Sequence, residues 1–278
     1  MIIGDDELYR SQEFTTRHAF TAGIEGPACD RAGNVYAVNY ARQGTIGIVA
    51  PDGSGSVFVE LPGTSVGNGI RFSGDGSTMY IADYVNHNIL AVEMATRAIS
   101  VYAHAPAFNQ PNDLAIGDDG TLFASDPCWA DDSGQIWRIG RDQQVILLEG
   151  AMGTTNGIEV APDQHTLYVN ETVQRRILAY DLAADGVVSN KRVFHQFADF
   201  LLDGMRCDRA GNLYVTRYGK GTVVVFSPAG LLLREIALHG RDCTNVAFGG
   251  SDGRTCFVTV ADTGAIECFR TAIAGREP

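Results

Sequence analysis

Positive charge is in short supply in this chain: 21 lysines and arginines face 33 aspartates and glutamates across 278 residues, a formal net charge of −12, and the basic residues form no cluster. The electrostatic footprint that a phosphate backbone or an anionic lipid surface needs is missing, so neither nucleic acid nor membrane is an expected partner. Long hydrophobic runs are also missing; none approaches the roughly 20 residues of a membrane-spanning helix. The N-terminal "MIIGDDELYR" has acidic residues where a secretory signal needs a basic start and a long apolar core, and the expectation is a cytoplasmic protein. Cysteine is scarce: the six (Cys29, Cys128, Cys207, Cys243, Cys256, Cys268) show no Cys-x-x-Cys spacing and lie in or beside apolar runs. They read as buried thiols rather than zinc ligands or disulfides. The histidines have no His-Glu-x-x-His spacing, and no Gly-x-Ser-x-Gly elbow supports a serine hydrolase. "RYGKGT" lacks the spacing and the following helix of a phosphate loop and reads as a hairpin turn.

What the chain does have is a repeat. "EGPACDRAGNVYAVN" starts at Glu25, "NGIRFSGDGSTMYIAD" at Asn68, "NDLAIGDDGTLFASD" at Asn112, "NGIEVAPDQHTLYVN" at Asn156, "DGMRCDRAGNLYVTR" at Asp203 and "TNVAFGGSDGRTCFVTV" at Thr244, at intervals of 43, 44, 44, 47 and 41 residues. Each copy has a polar starter, a short strand, a turn and a second strand, and two further short strands follow. Four strands per period of about 44 residues is the signature of a β-propeller. The sixth copy runs out of chain before a fourth strand, and "EFTTRHAF", residues 13–20, alternates as a strand and belongs to no other copy. The expectation is a single all-β domain over residues 1–278: a six-bladed propeller with four-stranded blades, closed by an N-terminal strand that completes the last blade and removes an exposed edge.

In such a propeller the first strand of each blade lines the central channel, so the starters Glu25, Asn68, Asn112, Asn156, Asp203 and Thr244 converge on its mouth. All six offer oxygen. Any one of them taken alone reads as a turn or rim residue, and it is Glu25, a poor turn former, at the same register as Asp203 that points further. Two carboxylates together would repel by about 4 kcal/mol at ~4 Å and moderate dielectric unless a proton or a cation intervened. An all-oxygen set with two negative charges suits a hard dication, with no His or Cys to favour zinc or copper.

With these residues in hand, the chain resembles the gluconolactonase family, which includes regucalcin (senescence marker protein, SMP-30) and luciferin-regenerating enzyme. The likeness rests on "EGP" at Glu25, "PNDLAI" at Pro111, "SDPCW" at Ser125, "TNGIEVAPDQHTLYVNET" at Thr155, "DGMRCD" at Asp203, "YGKGTVVVFSPAG" at Tyr218 and "NVAFGG" at Asn245. The resemblance implies a six-bladed propeller holding one divalent cation, calcium foremost, with zinc, magnesium, manganese and iron(II) open. It makes Glu25, Asn156 and Asp203 direct ligands and Asn112 a fourth ligand or a substrate contact. It implies hydrolysis of sugar-acid lactones. Animal members carry an Arg at the place of Gln110, so their substrate contacts do not carry over, and "SDPCW" is closer to bacterial lactonases.

The chemistry fits the residues: a cation polarises the lactone carbonyl and Asp203 serves as general base, with nucleophile the lesser possibility. A residue fourteen positions after a starter returns to the same mouth, which places Asn39, Asp126, Asn170 and Arg217 there, and Asp83 from the longer second copy. Asn68, Gln110, Asn112, Asp126 and Arg217 are the expected substrate contacts, in a polar shell suited to a hydroxyl-rich sugar. Competing readings are a phosphotriester or aryl-ester hydrolase on the same metal, as in the similar diisopropylfluorophosphatases, and a non-catalytic calcium-binding propeller. Beyond a small-molecule substrate no partner is expected, and the chain is read as a monomer or small homo-oligomer.

Overall fold

Hairpin chemistry sets the strand pattern in the computed structural model, which describes residues 7–276. In five of the copies an aspartate at the first hairpin turn folds back on its own backbone: Asp75 Oδ1 accepts the Ser77 N–H at 3.0 Å, and Asp119, Asp163, Asp208 and Asp252 accept from Thr121, His165, Ala210 and Arg254 at 2.8–3.0 Å. Such a side-chain turn reverses the chain within a few residues and delivers the second strand antiparallel to the first.

The result is six antiparallel sheets of four strands, with no α-helix among the described residues. This is the fold class of a six-bladed β-propeller. The first six residues, part of the N-terminal stretch read as lacking a secretory signal, lie outside the described residues.

The chain divides into two compact units of three sheets each. One comprises residues 61–202 and holds the sheets that begin with Gly67–Phe72, Leu114–Ile116 and Thr155–Val160. Neighbouring first strands meet within the unit; Leu114–Ile116 and Thr155–Val160 are buried along their whole length and Gly67–Phe72 for the most part. Its core layers are stacked aliphatic and aromatic residues such as Ile136, Ile158, Val169 and Leu178, with Ile89, Leu114, Leu122 and Trp137 beside them.

The other unit comprises residues up to 60 and from 203 onward. Its sheets begin with Ala28–Cys29, Met205–Cys207 and Cys243–Gly249. Here the expected closure is present: Gln12–Glu13 pairs antiparallel with Ala265–Arg270, giving a fourth strand drawn from the start of the chain. The strand is shorter than the alternation of residues 13–20 suggests. The Phe14 and Thr15 amides both donate to the Ile266 carbonyl, and Thr15 Oγ1 accepts the Ile266 N–H at 2.9 Å in place of a backbone carbonyl. His18, at φ 61°, then turns the chain away, while the amides of His18 and Phe20 still bond to Thr263 and Gly264.

Candidate active site

Asn68, Asn156 and Thr244 sit at the beginning of the first strand of their sheets, and Glu25, Asn112 and Asp203 two or three residues before it, where backbone bonds fix the register against the second strand. Glu25 accepts from the Val38 N–H at 3.0 Å, Asn112 donates to Ser125 at 2.9 Å and Asp203 to Thr216 at 3.2 Å. In the second and fourth copies Gly67 pairs with Asp83 and Thr155 with Glu171. The second strand therefore does return its C-terminal end to the starter.

In the unit of residues 61–202 the starters are three asparagines. Asn112 and Asn156 are buried and Asn68 half-buried. Among the described residues, Asn68 Oδ1, Asn112 Oδ1 and Asn156 Oδ1 are buried oxygens with no hydrogen-bond partner. An unpaired buried carbonyl oxygen costs about 1–3 kcal/mol, so three at one register need an explanation. Amide oxygens are ligands for hard cations, and this donor chemistry fits a divalent cation of the calcium type.

In the other unit the starters are Glu25, Asp203 and Thr244. Glu25 is 9% exposed, and its Oε2 accepts from the Gly26 N–H and from Asn245 Nδ2. Thr244 spends its hydroxyl on Thr259 Oγ1, at 2.7 Å, and on the Ile24 carbonyl, at 3.0 Å, which ties its strand to the approach to Glu25. Asp203 is half-buried. Its negative charge acts on two neighbours: burial first and Asp203 second push the Cys243 thiol up to about 12. The Tyr218 hydroxyl is also raised, by burial, then Asp242, then Asp203. Both groups keep their protons at neutral pH, and the Cys243 thiol is turned onto the Arg217 and Thr222 carbonyls. The carboxylates that act on this neighbourhood are those of Asp203 and Asp242. Among the described residues no group of three or more His, Cys, Asp or Glu side chains could hold a metal, so any cation here needs amide oxygens as well.

Of the residues expected fourteen positions on, Asp126, Asp83 and Asn39 spend their side chains on neighbouring groups. Asp126 is fully buried and accepts the N–H groups of Asn109 (3.0 Å) and Gln110 (2.5 Å), Gln135 Nε2 (2.7 Å) and Trp137 Nε1 (2.9 Å). Burial pushes its carboxyl up and these bonds pull it back. Asp83 likewise accepts from Ser65 Oγ at 2.6 Å and from the Val66 N–H at 3.2 Å, and Asn39 Nδ2 donates to the Gly23 carbonyl at 2.7 Å. Each holds the segment that leads into its own starter. Gln110 is half-buried on the Asp126-braced segment, and Arg217 and Asn170 are buried. The residue that sequence reasoning passed over is Asn245. It was present only inside the motif "NVAFGG", and its bond to Glu25 joins positions 220 apart in the chain.

A cleft of about 460 Å³ opens at the opposite end of these sheets, beside Arg31, Pro51, Asp252 and Arg270. Arg270 is already paired with Asp252, so its charge is matched within the fold.

Residues 85–262 match the family described as "SMP-30/Gluconolactonase/LRE-like region". A gluconolactonase from Zymomonas mobilis is 26% identical over 273 residues, covering 85% of this chain and 76% of that one. Pentonolactonase XacC from Haloferax volcanii is 29% identical over 153 residues, 54% of this chain and 53% of that protein, so this second match spans only about half of its relative. Among solved structures, a calcium-binding regucalcin from Agrobacterium tumefaciens superposes with a TM-score of 0.81 at 21% identity, covering 98% of this chain and 95% of that one. A gluconolactonase from Xanthomonas campestris gives 0.80 at 23% identity, with 94% and 89% covered. The repeat, the strand order and these likenesses agree: the chain belongs to the SMP-30/gluconolactonase/LRE-like family, and with it to the lactonase enzymes.

Proposed function

We propose that the protein opens a sugar-acid lactone to the free hydroxy acid, and that the reaction depends on one divalent cation, calcium foremost, for which Glu25, Asn112, Asn156 and Asp203 supply oxygen ligands. The observation that carries this reading is the set of buried amide oxygens without partners, Asn112 Oδ1 and Asn156 Oδ1 among them, at positions where the family resemblance implies ligands. The names of the relatives support the substrate class, since gluconolactonase, 6-deoxy-6-sulfogluconolactonase and pentonolactonase all denote enzymes of sugar lactones.

When bound, the cation supplies Lewis acidity, drawing electron density from the lactone carbonyl and offsetting the charge that develops on its oxygen. The chain's own residues do the rest. Asp203 takes a proton from the attacking water, whose oxygen bonds to the carbonyl carbon. The carbon–oxygen bond of the ring breaks, and Asp203 returns the proton to the departing alkoxide. Gln110, Asn68 and Arg217, with Asn112, contact the sugar hydroxyls. Asp126 contributes by fixing the backbone of Asn109 and Gln110, so that the substrate meets a segment already in place. The six free thiols suit a reducing compartment and support a cytoplasmic location.

The test is a panel of aldonolactones assayed beside a phosphotriester and an aryl ester, with calcium present and acid release followed by pH. The reading expects turnover of at least one aldonolactone well above that of the other esters. Faster turnover of the phosphotriester would move the protein to another substrate class, and no turnover of any would make it a binder.

A further inference from the structure

Asn245 lies on Cys243–Gly249 with no exposure to solvent. Its backbone N–H donates to Thr259 Oγ1 at 3.0 Å. Its side-chain Oδ1 accepts from the Val246 N–H at 2.8 Å and from Arg206 Nη1 at 3.4 Å. Two donors aimed at one atom settle the orientation of the amide: the oxygen must face them and the NH₂ must face the other way. That NH₂ reaches Glu25 Oε2 at 3.0 Å. The same amide lies flat over Gly204, where an added Cβ would fall 1.9 Å from Asn245 Cγ. Only glycine after Asp203 leaves it room. One side chain therefore packs on the residue next to Asp203 and bonds to Glu25.

The other unit contains the same construction with a different end group. There Gly69 follows the starter Asn68, and an added Cβ would fall 2.6 Å from Asp113 Oδ1. Asp113 Oδ1 accepts from the Leu114 N–H at 2.8 Å and from Arg71 Nη1 at 3.4 Å, as Asn245 Oδ1 does from Val246 and Arg206. Arg71 also meets Glu159 Oε2 at 3.4 Å, three residues after the starter Asn156. The position three residues after Glu25 is Ala28. Aspartate serves where the next starter is Asn156; asparagine stands where the next starter is Glu25. At neutral pH an aspartate has no proton to donate, and it would set a second negative charge beside the glutamate. The amide instead supplies a donor.

We propose that Asn245 is a positioning residue that fixes the rotamer of the Glu25 carboxylate and thereby sets the affinity for the divalent cation. Together with the Gly26 N–H it holds Oε2, so the carboxylate is aimed before the cation arrives rather than by it. Groups that orient a ligand in this way are typically worth about 10- to 100-fold in metal affinity. The inference rests on the reading that Glu25 is a ligand.

The test is calorimetric titration of the metal-free protein with calcium, on the wild type, on Asn245→Leu, which keeps the volume and loses the donor, and on Asn245→Ala. Circular dichroism and melting of the metal-free forms identify the folded variants. The expected result is that the dissociation constant rises by about 10- to 100-fold in the folded variants. A purely structural Asn245 would lower the melting temperature of the metal-free protein and leave the dissociation constant where it was, which would overturn the inference while the metal reading stood. A wild-type protein that takes up no divalent cation would bring down the metal reading and this inference together.

Discussion

Asp203 and Asn68 hold the same register in their sheets and differ in what they can do with a proton. Asp203→Asn keeps the shape and one ligand oxygen but removes the charge and the basic site. Cation binding should weaken yet saturate at excess, while turnover at saturation falls by roughly 10²- to 10⁴-fold, the usual range for a positioned base. Asn68→Ala should instead raise KM with turnover largely kept, since the role proposed for Asn68 is a substrate contact and not a proton path. Steady-state kinetics of both at saturating calcium separate the two effects. Recovery of near wild-type turnover in Asp203→Asn would make Asp203 a ligand alone. At this scale the sequence showed where side chains stand but not what they spend their bonds on. Asp126 was legible as a residue returning to the starter end, because strand length alone puts it there. That its carboxylate is used up by Asn109, Gln110, Gln135 and Trp137 depends on a loop conformation that no spacing encodes. Asn245 was invisible as a partner of Glu25 for a related reason, since nothing local at either residue points to the other.

The blades were the most legible elements, because five of the six repeat the same turn chemistry: an aspartate that accepts the backbone N–H two residues on, as Asp75 and Asp252 do, marks the hairpin. The closing strand was legible in position and not in extent. Alternation in residues 13–20 suggested a full strand, whereas the ladder holds only Gln12–Glu13 and the Thr15 hydroxyl takes over as acceptor for Ile266. Even this short strand covers Ala265–Arg270, whose edge would otherwise be open to pairing with another chain. Deleting residues 1–20 is therefore expected to give aggregated or strongly destabilised protein. A truncated chain that elutes as the wild type does and melts at the same temperature would show that the closure carries no weight. Thr15→Ala is the milder form and should cost about 1–3 kcal/mol by leaving the buried Ile266 N–H without its acceptor, readable in a denaturant titration.

Over the whole molecule, six free cysteines are distributed so that five are buried and Cys128 is half-buried. Burial pushes the Cys243 thiol up to about 12 and the Cys256 and Cys268 thiols up as well, so thiolate is scarce in the fold at neutral pH. Titration of the native protein with a thiol reagent at pH 8 should find one fast-reacting group, Cys128, and six after unfolding; two or more fast groups would contradict the burial. The proposed dependence on a cation turns on the oxygen-bearing starters rather than the thiols. The decisive measurement strips the protein of metal, confirms this by elemental analysis, and titrates calcium back while heat of binding and lactone hydrolysis are followed on the same sample. One cation per chain is expected, with no hydrolysis above buffer at the start and activity that rises with the same midpoint as binding. Full activity in the stripped protein, or binding that saturates without any gain in hydrolysis, would rule out metal-dependent hydrolysis at these starters.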